Sequence, residues 1–209
     1  MKALWAIAIF VAAPAFGQAG GKTVKDRESA NLNEIEHGWY MRVDAGPWLM
    51  VNPPGKTQTD TAPAASFGQQ AMVQVGRDIA DRFSIGAFLM STNNREGSDY
   101  VGLSNPKGTA SGDFAALIPG GNIKANLVGF KDAQDVQRTW VYVRGGAGFA
   151  LFSPKALLPN ADILIFGGAG IEYFTRLRHF SIGIEADFAF FLTNAALAFT
   201  ISPNLRYAF

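Results

Sequence analysis

The end of the chain constrains the fold more than any other stretch. Leu197, Phe199, Ile201, Pro203, Leu205, Tyr207 and Phe209 are apolar, and Ala198, Thr200, Ser202, Asn204, Arg206 and Ala208 between them are small or polar. A period of two specifies a strand with one apolar and one polar face. The same alternation recurs upstream. Trp39, Met41, Val43 and Ala45 oppose Tyr40, Arg42, Asp44 and Gly46, and Ala71, Val73 and Val75 oppose Gln70, Met72 and Gln74. Phe83, Ile85, Ala87 and Leu89 set a third apolar face. Residues 140–152, 162–174 and 180–192 repeat the pattern with their odd or even members apolar throughout one face.

One segment between these is irregular. Phe114, Ala116 and Ile118 place the apolar face on even positions, and Ile123, Ala125 and Leu127 place it on odd ones. A change of parity needs an inserted residue, and Pro119, Gly120 and Gly121 lie between the halves, where Pro and Gly favour a β-bulge. Reading them as a hairpin turn instead would give nine strands, an odd count disfavoured in a single-chain bacterial barrel. The expectation is therefore eight strands. Residues 77–82, 131–138 and 175–179 are the short turns on one side, and 52–68, 91–112, 153–160 and 193–196 are the loops on the other.

The chain carries 48% hydrophobic and 17% charged residues, with 23 Gly and 17 Phe. A water-soluble domain carries charge nearer a quarter. The excess of apolar residues is not gathered into a helical span, which needs about 20 consecutive apolar residues. Lys2 followed by the apolar run 3–13 and the small residues Ala15 and Gly17 reads as a secretory signal. Cleavage is expected after Gly17, with Ala19 as the alternative, giving a signal peptide at 1–17. Residues 18–37 are polar and form a flexible lead-in (Asn31 and Glu34 fit a short helix cap as the alternative), and residues 38–209 form the barrel. There are no cysteines, which excludes disulfides and a cysteine-linked lipid anchor. The formal charge is +1, so no basic face for nucleic acid is expected.

The charges sort by face. None of the apolar-face positions is charged, while the opposite faces carry Arg42, Asp44, Lys124, Arg144, Glu172, Glu185, Asp187 and Arg206. A charge on a lipid face at mid-membrane costs about 2–4 kcal/mol for Arg or Lys, and an interior charge is tolerated when paired. A balanced set on eight closed strands reads as an ion-pair network filling a lumen that is just wide enough for side chains. A selectivity constriction is the alternative. A soluble β-sandwich would show similar alternation, and the aromatic terminus and the size of the apolar residues favour the membrane.

Chemistry-bearing motifs are few. Gly145-Gly-Ala-Gly148 and Gly167-Gly-Ala-Gly170 lie mid-strand with no following helix, so they are not phosphate loops. They let the sheet curve, with Tyr142, Phe149 and Phe166 placed to cover the backbone. His37 and His179 are the two histidines, and no Ser-His-acid set or metal cluster is legible. No enzyme, metal or cofactor is expected. Lys155, Ala156, Leu157 and Leu158 form an apolar run in a loop, read equally as a partner patch or as a segment folded onto the rim. Trp39, Trp140 and Tyr173, near strand ends, fit interfacial aromatic belts.

Over nearly all of residues 38–209 the chain resembles small eight-stranded outer-membrane barrels of the OmpX and OmpA architecture, antiparallel and up-and-down. The ending Tyr207-Ala208-Phe209 is similar to the signal that the barrel-insertion machinery reads. More narrowly, residues 28–36, 98–101, 152–159 and 173–181 resemble segments of the adventurous gliding motility (CglE-like) family. That resemblance implies a non-enzymatic anchor or scaffold in an envelope-spanning motility or adhesion complex, with both termini periplasmic. Its implied partners are outer-membrane lipid, the insertion machinery, and other motility or envelope proteins met through the external loops and residues 18–37. A small porin or apolar-solute conduit, or an envelope-stabilising adhesion barrel, are the alternatives.

Overall fold

A computed structural model describes residues 35, 37–80, 82–103, 112–177 and 179–209. The expected signal peptide and nearly all of the lead-in, including the Asn31 cap, lie outside the described residues. The described residues form ten strands: β1 (Trp39–Val51), β2 (Lys56–Thr57), β3 (Ala65–Ala80), β4 (Phe83–Arg95), β5 (Tyr100–Gly102), β6 (Phe114–Lys131), β7 (Gln137–Ser153), β8 (Asp162–Phe174), β9 (Phe180–Phe191) and β10 (Ala196–Ala208). Eight of them close into a barrel in the order β1-β10-β9-β8-β7-β6-β4-β3, every pair antiparallel. The short strands β2 and β5 pair with each other in the loops.

The C-terminal strand closes the ring. Tyr40 faces Ala208 and Val51 faces Leu197 across β1 and β10. Closure removes every edge, so no row of unpaired backbone groups is left to lipid or to aggregation. Every one of the eight strands presents exposed apolar residues outward, among them Val43, Val75, Ile85, Ile123, Phe149, Ile171, Ile182 and Ile201. A contiguous apolar wall of this extent is far larger than soluble monomers expose, and lipid is the solvent it suits. Among the described residues no helix is long and apolar enough to cross a membrane.

The irregular strand is resolved differently from the sequence expectation. β6 pairs with β4 without interruption from Phe83–Ala125 to Asn94–Phe114, so Pro119-Gly-Gly carries no bulge. The register shifts lie on the β7 side, between Asn126 and Val128 and between Phe130 and Lys131. Phe114, Ala116 and Ile118 accordingly point into the barrel, where each is buried. Several strands also run past their expected ends. β3 starts at Ala65 inside the expected first loop and continues to Ala80, and β4 continues to Arg95.

Candidate functional site

The lumen is filled in two layers. Near the end of the barrel that holds the termini, the alternate inward residues are charged or amide. Near the loop end apolar side chains dominate, with Trp48, Met50, Met72, Phe88, Met90, Phe114 and Phe152 in one buried cluster and Ser66, Thr92, Asn94 and Asp162 buried among the strand ends. The pleat explains both layers, because each strand lends every second side chain to the interior.

All eight charged residues expected in the lumen are inward, and they form two ion-pair groups, one around Arg144 and Glu185 and one around Glu172, with Arg42 and Lys124 both over the Tyr142 ring between them. Arg144 on β7 ion-pairs with Glu185 and, at 3.1 Å, with Asp187 on β9; Asp44 on β1 lies 3.9 Å away. Arg42 reaches Glu185 at 3.0 Å and Asp44 at 3.3 Å. Lys124 on β6 donates to Glu172 on β8, whose other oxygen accepts from the Ser181 hydroxyl at 2.5 Å. Arg206 on β10 lies 3.9 Å from Glu172 and donates to Asp78 at 2.5 Å. Arg206 also stacks over Tyr40 at 4.1 Å, and Lys124 over Tyr142 at 4.3 Å. Each cation meets both a carboxylate and a ring face, which offsets its desolvation.

Asp78 is a fifth lumen carboxylate that the sequence reading placed in a turn. Its parity was the available signal, since it continues the inward set Gln70, Met72, Gln74 and Gly76 once β3 is allowed to extend. Asp78 also ties down the entry of the chain: Gly38 N–H donates to its carboxylate at 3.3 Å, and His37 Nδ1 lies 3.5 Å from it. The buried amides went unassigned as well. Gln74 donates to Tyr40 at 2.6 Å and to Asn122 at 3.1 Å, and Gln70 donates to Ser202 at 2.6 Å.

The aromatic assignments need correction in part. Tyr142 covers Gly170 and Phe166 covers Gly146, but Phe149 faces outward. Phe88 takes the third place, with its ring against Gly120 and Gly148. Trp39 is 52% exposed and Tyr173 is 39% exposed, as girdle positions require, whereas Trp140 is 9% exposed and faces inward. Trp140 alternates with Tyr142 and Arg144, which places it on the lumen side.

The loop end is capped. β2 pairs with β5, Tyr100 stacks on Phe114 at 5.7 Å, and its hydroxyl donates to the Pro54 carbonyl. Leu103 N–H donates to the Leu157 carbonyl at 2.8 Å, joining the second and third loops. Leu157 and Leu158 are buried in the apolar cluster, so of the expected partner run only Lys155 and Ala156 stay exposed. Asp162 holds the last loop, accepting from Thr193 N–H at 2.8 Å and Asn194 N–H at 3.0 Å. Tyr207 and Phe209 project outward at the other end and stack at 6.2 Å.

The arrangement is one of cohesion. Among the described residues no group of three or more His, Cys, Asp or Glu side chains could hold a metal ion. His179 Nδ1 lies 2.9 Å from the Ala208 carbonyl oxygen, and His37 stands beside Asp78.

Neither a family model nor a curated protein sequence matches the chain. Solved structures do. Neisserial surface protein A superposes with a TM-score of 0.57 at 12% identity, over 82% of this chain and 97% of that one. Outer membrane protein OprG from Pseudomonas aeruginosa superposes with a TM-score of 0.50 at 10% identity, over 85% and 99%. At these identities the likeness is one of fold: the chain is an all-β, closed, eight-stranded antiparallel barrel of the kind these surface and outer-membrane proteins adopt.

Proposed function

We propose that the protein is a non-enzymatic outer-membrane barrel that anchors an envelope-spanning assembly of the gliding-motility or adhesion type. The observation that carries this reading is the filled lumen. Buried ion pairs at one end and a buried apolar cluster with a knitted loop cap at the other leave the barrel's surfaces, not its interior, for function. The apolar wall suits the outer membrane, and the termini and short turns suit its periplasmic side. The lead-in and the exposed parts of the loops are then the elements free to meet other envelope proteins. Four segments with the character of gliding-motility barrels narrow the assembly to that type.

The test is a deletion strain complemented with the full chain. Loss of single-cell gliding on a firm surface, restored by complementation, supports the anchor reading. Normal gliding in the deletion strain would sink it, and a defect confined to attachment would shift the reading to an adhesion barrel.

A further inference from the structure

The apolar outer wall gives way to a polar cluster at the loop end of β3 and β4. At the loop end the other strands present Leu49, Leu117, Leu151, Ile163, Phe190 and Leu197 outward. The β3–β4 hairpin instead presents Gln69, Asn93 and Arg95, all exposed. Gln69 pairs directly with Asn93, and Phe67 with Arg95, so the three polar side chains and one ring form a single outward cluster. They line a cavity of about 120 Å³ with Gly68 at its base. A side chain at Gly68 would run into the Asn93 carbonyl, so glycine is required there. Phe67 beside it is 68% exposed, among the most exposed large apolar residues. Arg95 makes no ion pair among the described residues.

Depth says what such a cluster meets. A strand rises about 3.3 Å per residue and tilts about 40° in a barrel of this kind, so each residue gains about 2.5 Å of height. Asn93 lies ten residues beyond Phe83, the aromatic that opens β4 at the turn end. That places it about 25 Å away, the height of the apolar band. Asn93 and Arg95 therefore sit where acyl chains give way to headgroups. A guanidinium there matches a phosphate by paired hydrogen bonds, the two amides match sugar hydroxyls, and Phe67 lies against the first methylenes of an acyl chain.

The geometry points to a binding site for one phosphorylated glycolipid of the surrounding leaflet, formed by Phe67, Gln69, Asn93 and Arg95. This rests on the reading of the wall as lipid-facing. The test uses the full chain in detergent micelles, supplied with a bisphosphorylated diglucosamine lipid or with phosphatidylcholine, and counts bound lipids by native mass spectrometry. The expected result is one retained glycolipid, no retained phosphatidylcholine, and retention unchanged by millimolar inorganic phosphate. Arg95→Gln should weaken retention about tenfold, the loss of one charge-assisted contact, and Arg95→Lys should restore part of it. Heat-modifiable gel migration shows that each variant is still a barrel. Equal retention by wild type and R95Q, or displacement by inorganic phosphate, overturns the site. Extraction of the protein from cells without detergent would overturn the membrane reading itself, a separate failure.

Discussion

Lys124 on β6 and Glu172 on β8 pair through the lumen, with β7 between their strands and the Tyr142 ring lying 4.3 Å below the ammonium. Both side chains are almost completely buried. The pair therefore links strands that share no backbone hydrogen bonds.

Removing one partner should be far worse than removing both. Lys124→Met leaves the buried Glu172 carboxylate with only the Ser181 hydroxyl and the Arg206 guanidinium 3.9 Å away, and breaking a buried pair in this way costs about 3–5 kcal/mol. The double variant Lys124→Met, Glu172→Met should recover most of that loss, because two apolar side chains of similar volume need no pairing. Urea unfolding in detergent micelles measures both. A double variant as unstable as the single one would mean that the network beyond this pair carries the effect.

The glycines of the two near repeats should separate by face. At Gly170 an added Cβ would lie 2.6 Å from the Tyr142 ring and 2.7 Å from the Ile184 carbonyl oxygen. Gly170→Ala should therefore cost about 1–3 kcal/mol through overpacking. At Gly145 and Gly167 the nearest atoms are backbone oxygens 3.6 and 3.8 Å away. Alanine at either should change stability by less than about 0.5 kcal/mol. Thermal unfolding of the three variants decides; equal destabilisation would show that curvature of the sheet, and not the ring, requires glycine.

The same contrast explains what could be read from sequence. Alternation identifies two faces of a strand, and charge then tells which face is interior, as at Arg42, Arg144 and Arg206. Where a strand carries no charge near the loop end the rule fails. Phe114, Ala116 and Ile118 are apolar because the upper lumen is an apolar core, and nothing in their local sequence distinguishes that core from lipid. Their parity agreed with Asn122 and Lys124 further along the same strand, so an unbroken register was the simpler solution. The buried Leu157 and Leu158 were ambiguous for a related reason: an apolar loop segment looks the same whether it meets a partner or its own barrel. Asn93 and Arg95 fall inside the expected loop 91–112 because polar outward residues mimic a strand's end, whereas Gln69 opens its expected strand.

The filled lumen predicts electrical silence. Purified protein in planar bilayers should show no steady conductance, because ions would have to cross both the paired charges and the aromatic layer around Phe114 and Phe152, whose rings stand 6.3 Å apart. Shortening the apolar layer with Phe114→Ala and Phe152→Ala should raise only brief, irregular openings, since the ionic layer beneath stays in place. A stable open channel in the wild type would overturn the plug and favour the conduit reading.

The turn between β6 and β7 should make acid stability depend on one carboxylate. Asp132 accepts from Gln134 N–H at 2.8 Å, from Val136 N–H at 3.1 Å and from Arg138 Nε at 2.8 Å. Desolvation works the other way, yet these donors hold the carboxyl below its ordinary range. A depressed carboxyl stabilises the fold at pH values above the unfolded value of about 4 and loses that contribution as pH falls through its folded value. Asp132→Asn keeps the shape and one acceptor oxygen but removes the charge facing Arg138. The variant should unfold at lower urea than wild type at pH 7, and the gap should close as pH is lowered below about 4. A gap that stayed constant from pH 7 to pH 3 would assign the effect to turn geometry and not to the ionised group.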